Sequence, residues 1–87
     1  MDSEIVLKVI TCVESVIRKS INLKNIELSL IDEHGIDSLD IANILIGLES
    51  MFNIEIDVGL IVPTNIRSVG ALSSMVLEVL NMSENNR

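Results

Sequence analysis

Apolar residues near the start of the chain recur at helical steps. Ile5, Val6, Val9, Ile10, Val13, Val16 and Ile17 are spaced by three and four residues, which predicts one buried face of a helix over residues 3–19. Asp2 and Glu4 lie where the helix dipole favours carboxylates, and Arg18 and Lys19 where it favours cations. Asp2 or Ser3 is the expected N-cap. The helical period then stops, leaving a long connection over residues 20–37. Within it Ile26, Leu28 and Leu30 alternate with Glu27 and Ser29, a strand-like period. A single such segment has nothing to pair with, so the expectation is an extended loop pinned across a helical core by its apolar side chains. Loops this long in small domains tend to be functional. Gly35 lets the chain turn sharply at its end.

A second helix is predicted over residues 38–52. Ile41, Ile44, Leu45, Leu48 and Phe52 share its core face at 100° per residue. Asn43, Gly47 and Ser50 fall on the other side, together with two large apolar residues, Leu39 and Ile46. That pair hints at a docking surface. Further on, Asp57 is expected to cap a short helical turn over residues 58–62, which Pro63 stops. Ser68 is placed to cap a last helix over residues 69–80, with Val69, Leu72, Val76, Val79 and Leu80 as its apolar stripe. Asn81 is its expected end, and residues 83–87 a frayed polar tail. The sum is an all-α fold, a small helical bundle of three main helices, one minor helical turn and a long first loop. It forms one domain over residues 1–82, followed by the tail.

Composition narrows what such a bundle does. The net charge of the 87-residue chain is −7, with the acids spread along it. Nucleic acid binding needs a basic stripe to neutralise phosphates, and the one aromatic residue, Phe52, gives no platform for stacking bases. An acidic surface suits basic partner proteins. No segment reaches the roughly 18–20 apolar residues of a membrane span, and the acidic start MDSEIVLK does not read as a secretory signal. The expected location is the cytoplasm. The single cysteine, Cys12, forms no intramolecular disulfide and falls in an apolar helical run, where it reads as a small buried hydrophobe. Cys12 and His34 alone do not make a zinc site. Asp32, Glu33, Asp37 and Asp40 are dense but lack the calcium-loop pattern, so no metal is expected.

The chemistry concentrates at Ser38, which sits between Asp37 and Asp40 where the second helix begins. Asp37 is placed to cap that helix, with Asp40 near the capping-box position. A hydrolytic serine needs an oriented base. The only histidine, His34, lies four residues upstream in the loop and reads as an exposed side chain, and nothing supplies a substrate pocket. A phosphate ester suits Ser38 better, because an anion at a helix start meets free N–H groups and the positive end of the dipole. Asp37 and Asp40 would oppose such an anion, and they read instead as handles for a basic partner that works on Ser38.

These residues also meet a family. GIDSLD, residues 35–40, opens an apolar helix that closes as LESMFNIEID, residues 48–57. The chain thereby resembles the acyl carrier proteins, with their Gly-x-Asp-Ser-Leu core, a helix closing with Glu and Phe, and an I-x-I/V segment after it. The resemblance runs from about residue 28 to residue 80. It implies a four-helix bundle with a short third helix and a long first loop. It implies that Ser38 carries 4′-phosphopantetheine, donated by coenzyme A through a separate phosphopantetheinyl transferase. The thiol of that arm would hold an acyl group as a thioester. The protein would be no enzyme but a monomeric shuttle, visiting a loading ligase and acyl-processing enzymes of fatty-acid, lipid or specialised-metabolite biosynthesis. Asp37, Leu39 and Asp40 match positions that frame the modification site and meet the transferase. The second helix would be the recognition helix, which adds Asn43 and Ile46 to the docking face. Its core face would line a cleft able to shelter an apolar cargo.

The chain departs from fatty-acid carriers in one respect. Asn43, Gly47 and Ser50 stand where acids crowd the recognition helix, and Glu49 is the only acid there after Asp40. Docking is therefore expected to lean on apolar contact more than on salt-sensitive attraction. IVPTNIRSVGAL, residues 61–72, looks closer to specialised stand-alone carriers, including some that bear amino acids. The alternatives are an aminoacyl or peptidyl carrier and, further off, a helical adaptor with no prosthetic group.

Overall fold

The computed structural model describes residues 3–85, the side chains of 83–85 excepted. Three long helices carry the fold, α1 (Ser3–Ile17), α3 (Ser38–Phe52) and α5 (Val69–Asn85), joined by two short ones, α2 (Leu30–His34) and α4 (Pro63–Ile66). Among the described residues there is no strand, and the fold is a small all-α bundle of acyl-carrier type. α1 packs against both α3 and α5. The Cys12 thiol donates to the Ile44 carbonyl at 3.4 Å, and the Lys8 ammonium lies 5.8 Å from the centre of the Phe52 ring. Later residues of α1 thus meet earlier residues of α3, so the two helices run antiparallel.

The expected apolar faces supply the core. Ile5, Val6, Val9, Ile10 and Val13 of α1 are buried against Ile44, Leu45 and Leu48 of α3 and Val69, Leu72 and Val76 of α5, and Val79 is buried too. Val16, Ile17, Ile41, Phe52 and Leu80 pack at its margin, and Cys12 is buried among them. Met75, which the stripe did not include, is buried in α5 as well. Burial pushes the Cys12 thiol pKa up.

Several boundaries differ from expectation, each for a local reason. α1 ends at Ile17 because Arg18 turns into the left-handed region at φ 59°. The Glu14 carboxylate then accepts the Ile21 N–H at 2.7 Å and leads the chain back. Asp2 lies outside the described residues. The first loop is not extended. A 3-10 turn over Leu23–Asn25 is followed by α2, which Ser29 caps through the Asp32 N–H and Gly35 ends at φ 61°. Leu30 is buried, but Leu28 faces solvent, so only part of the alternating segment is pinned. Two backbone bonds hold it in place, from the Leu30 N–H to the Arg67 carbonyl and from the Gly70 N–H to the Ile26 carbonyl, both 2.8 Å.

On the far side of α3, the expected minor helix is a 3-10 turn over Val58–Leu60, capped by Asp57. Pro63 does not stop it but begins α4 at the first helical position, where a missing N–H costs nothing and the fixed φ suits the helix. Ser68 caps α5 as expected, its hydroxyl accepting the Ala71 N–H at 3.0 Å. α5 runs through Asn81 to Asn85. Of the residues expected to fray, 83–85 continue the helix, and 86 and 87 lie outside the described residues.

Candidate functional site

Gly35 to Asp40 form a hard corner between α2 and α3. Gly35 closes α2 in a left-handed conformation that costs glycine little. Ile36 then turns inward and is 5% exposed. It stands just before the N-cap of α3 and meets Ile41, at the fourth helical position, in an apolar seam. This is a hydrophobic staple, which sets the angle at which the chain enters the helix.

Asp37 and Asp40 finish the corner with a reciprocal capping box. Asp37 accepts the Asp40 N–H at 2.9 Å, and Asp40 accepts the Asp37 N–H at 3.2 Å. The two acids around Ser38 therefore have a structural task of their own.

Ser38 is the first residue of α3 and is exposed. Among the described residues no hydrogen bond engages its hydroxyl. His34 is half-buried at the last position of α2 rather than an exposed loop residue, and it makes no hydrogen bond to Ser38. The hydroxyl thus has no base of its own. First-turn N–H groups lack intrahelical partners, and the capping box engages that of Asp40, leaving those of Ser38 and Leu39 to face an anion esterified at the serine. The residues fit a phosphate diester attached by an outside enzyme.

Beyond the corner, Leu39 (68% exposed) and Ile46 (63%) project to solvent, and Asn43 and Ser50 are exposed too. Gly47 does not belong with them. It faces α1, and a Cβ there would stand 2.7 Å from the Cys12 sulfur. Glu49 is likewise half-buried rather than exposed. Its carboxylate accepts the Ile56 N–H at 2.8 Å and ties down the chain after α3.

The seam beneath the site is lined by Leu30, Ile36, Ile41, Ile44, Leu45, Ile66 and Leu72. It has no room for a water molecule. The expected cleft is thus packed shut. Among the described residues no cluster of three or more His, Cys, Asp or Glu is placed to hold a metal, and no helix is long and apolar enough to cross a membrane.

The family model described as phosphopantetheine attachment site matches residues 7–76, a span that contains α2, α3, α4 and the corner at Ser38. Neither a curated protein nor a solved structure matches the chain.

Proposed function

The chain belongs to the phosphopantetheine attachment site family, and from that premise we propose that it is an acyl carrier protein whose arm is attached at Ser38. At the coarser level it is a carrier protein with a covalently attached 4′-phosphopantetheine. The observation that carries the finer reading is the exposed, unengaged hydroxyl of Ser38 at the first position of a capped helix. When attached, the arm supplies a thiol that holds the cargo as a thioester.

This chain's residues position the attachment. The capping box and the Ile36 staple hold Ser38 at the solvent edge. During transfer the Ser38 oxygen bonds to the phosphorus that carries the pantetheine, the pyrophosphate bond of coenzyme A breaks, and 3′,5′-ADP departs. The hydroxyl proton goes to a base on the transferase, since among the described residues no side chain bonds the hydroxyl. The N–H groups of Ser38 and Leu39 favour the resulting phosphate diester.

Asp37, Leu39, Asp40, Asn43 and Ile46 are proposed as the partner-facing residues. The protein acts as a cargo presenter rather than a catalyst, as a monomer in the cytoplasm, for enzymes of fatty-acid, lipid or specialised-metabolite biosynthesis. The closed seam favours a second reading, an aminoacyl or peptidyl carrier, because a small polar cargo needs no shelter. Offering the holo-protein to adenylating ligases for fatty acids and for amino acids separates the two. Thioester formation only with the fatty-acid ligase supports the acyl reading, and loading only by the amino-acid ligase overturns it. Tandem mass spectrometry of the loaded protein should place the arm on Ser38.

A further inference from the structure

Arg18, Lys19 and Lys24 are three of the chain's 6 lysines and arginines, and all three are exposed. No acid stands between Glu14 and Glu27, and both of those are turned to local tasks. The Glu14 carboxylate accepts the Ile21 N–H at 2.7 Å. That of Glu27 lies against Gly70 at the start of α5, where an added Cβ would strike it. Residues 18–24 form a compact tip. Arg18 turns the chain off α1 at φ 59°, and the Glu14–Ile21 bond folds it back. Asn22 then accepts the Lys24 N–H at 2.9 Å and caps the 3-10 turn Leu23–Asn25. Leu23 stands on that turn beside Lys24 and is 56% exposed. A chain of net charge −7 thus carries a basic tip with an apolar point.

The tip shares an end of the bundle with Ser38. α1 and α3 run antiparallel, with Cys12 beside Ile44. Arg18 and Ser38 each lie roughly 9 Å along the axis from that contact, in the same direction. The bonds of Ile26 and Leu30 to the α4–α5 junction lead the chain off the tip before Asp32 and Glu33 of α2. Asp37 remains exposed at the Ser38 corner, with Asp40 half-buried beside it. Their carboxylates repel an anionic surface, so such a surface meets the tip and not the corner.

We propose that this tip docks the protein on anionic lipid headgroups, with Leu23 set between them and Arg18, Lys19 and Lys24 against their phosphates. Attraction to anionic lipid grows with each cation near the surface and with the apolar area inserted. It falls off within a Debye length, about 8 Å at physiological ionic strength, so acids elsewhere on the molecule count for little. An acidic protein is a poorer occupant. A tip with one large apolar side chain falls well short of the about 800 Å² per partner that a stable interface buries, whereas a fluid headgroup layer needs no matching shape. The contact goes beyond the carrier reading and needs no arm. Where the arm is attached, docking brings its cargo to the membrane surface.

The test uses the purified apo-protein and vesicles of phosphatidylcholine alone or mixed equally with phosphatidylglycerol. Wild type should sediment with the anionic vesicles at about 0.05 M salt, stay free of the neutral ones, and be released at about 0.5 M. Lys19→Gln/Lys24→Gln should weaken the partitioning roughly twentyfold, at the usual attraction per cation. The chain has no tryptophan or tyrosine, so Leu23→Trp gives a single reporter at an exposed position. Its emission should shift to the blue with anionic vesicles and not with neutral ones. No sedimentation of wild type with the anionic vesicles would overturn the proposal, as would full binding by the double lysine variant. Binding with unshifted Leu23→Trp emission would assign the contact to another face and overturn it too. Capture by polyglutamate without vesicle binding would give the tip to an acidic protein instead. Each of these outcomes leaves the carrier reading intact, since that reading is decided by modification of Ser38.

Discussion

Ser38 owes its position to its neighbours. Asp37 and Asp40 each satisfy an N–H that the start of α3 would otherwise leave unpaired, and Ile36 holds the corner from inside. Asparagine caps a helix about as well as aspartate, so Asp37→Asn should leave the denaturation midpoint nearly unchanged. Asp37→Ala should cost about 1 kcal/mol. Urea titration of the two variants checks this, and equal losses would show that the charge of Asp37, not its cap, is what stabilises α3. Cys12 behaves as buried packing, at 4% exposure with its thiol pKa raised by desolvation. In the native apo-protein at neutral pH it should react with a thiol reagent far more slowly than in denaturant. Fast native labelling would contradict its burial. Its pH effect has a definite sign. A folded pKa above the ordinary 9.0 means that the unfolded thiol ionises first. The contribution to stability is full below that value and declines as the pH rises past it.

The contact of α1 with α3 depends on Gly47. Alanine is about 1 kcal/mol better than glycine inside a helix, yet its Cβ would meet the Cys12 sulfur at 2.7 Å. Overpacking of that kind costs about 1–3 kcal/mol, so Gly47→Ala should destabilise the protein on balance. In a Cys12→Ala background the same change should become neutral or stabilising. Urea denaturation of the four-member cycle measures this, and a stabilising Gly47→Ala in the wild type would refute the close approach. Gly47 also shows where sequence reading runs out. On a helical wheel it falls with Asn43 and Ser50 away from the core face, and only the approach of α1 reveals that it is covered. The long helices α1, α3 and α5 were legible because each repeats its apolar period over several turns. α2 was not, because five residues hold too little period, and Ile26, Leu28 and Leu30 imitate a strand. Its signals were the Ser29 cap, with an acid three residues on, and Gly35. The Ile36–Ile41 staple was equally readable from its place around Asp37. Pro63 misled because proline both ends helices and begins them, and Asn81 because asparagine is only a weak stop.

For the whole molecule, the net charge of −7 gives a poor guide to the exposed side of α3 beyond Asp40, where Ile46 projects and Asn43 and Ser50 are uncharged. Asp37 and Asp40 flank Ser38 and cap the helix, and Glu49 ties down the chain that follows it. The bundle holds one exposed serine on a rigid corner over a seam too tight for water, an arrangement suited to presenting a tethered cargo. The corner that holds the proposed attachment point was the most legible feature of the sequence, since GIDSLD combines the turn, the cap and the serine in six residues. The measurement that tests it most directly is the intact mass of the protein after incubation with coenzyme A, magnesium and a broad-specificity phosphopantetheinyl transferase, with Ser38→Ala alongside. A gain of one phosphopantetheine arm on the wild type, and none on a folded Ser38→Ala, is the predicted result. The same gain on Ser38→Ala, or none on folded wild type while a known carrier is modified in the same tube, would contradict Ser38 as the attachment site.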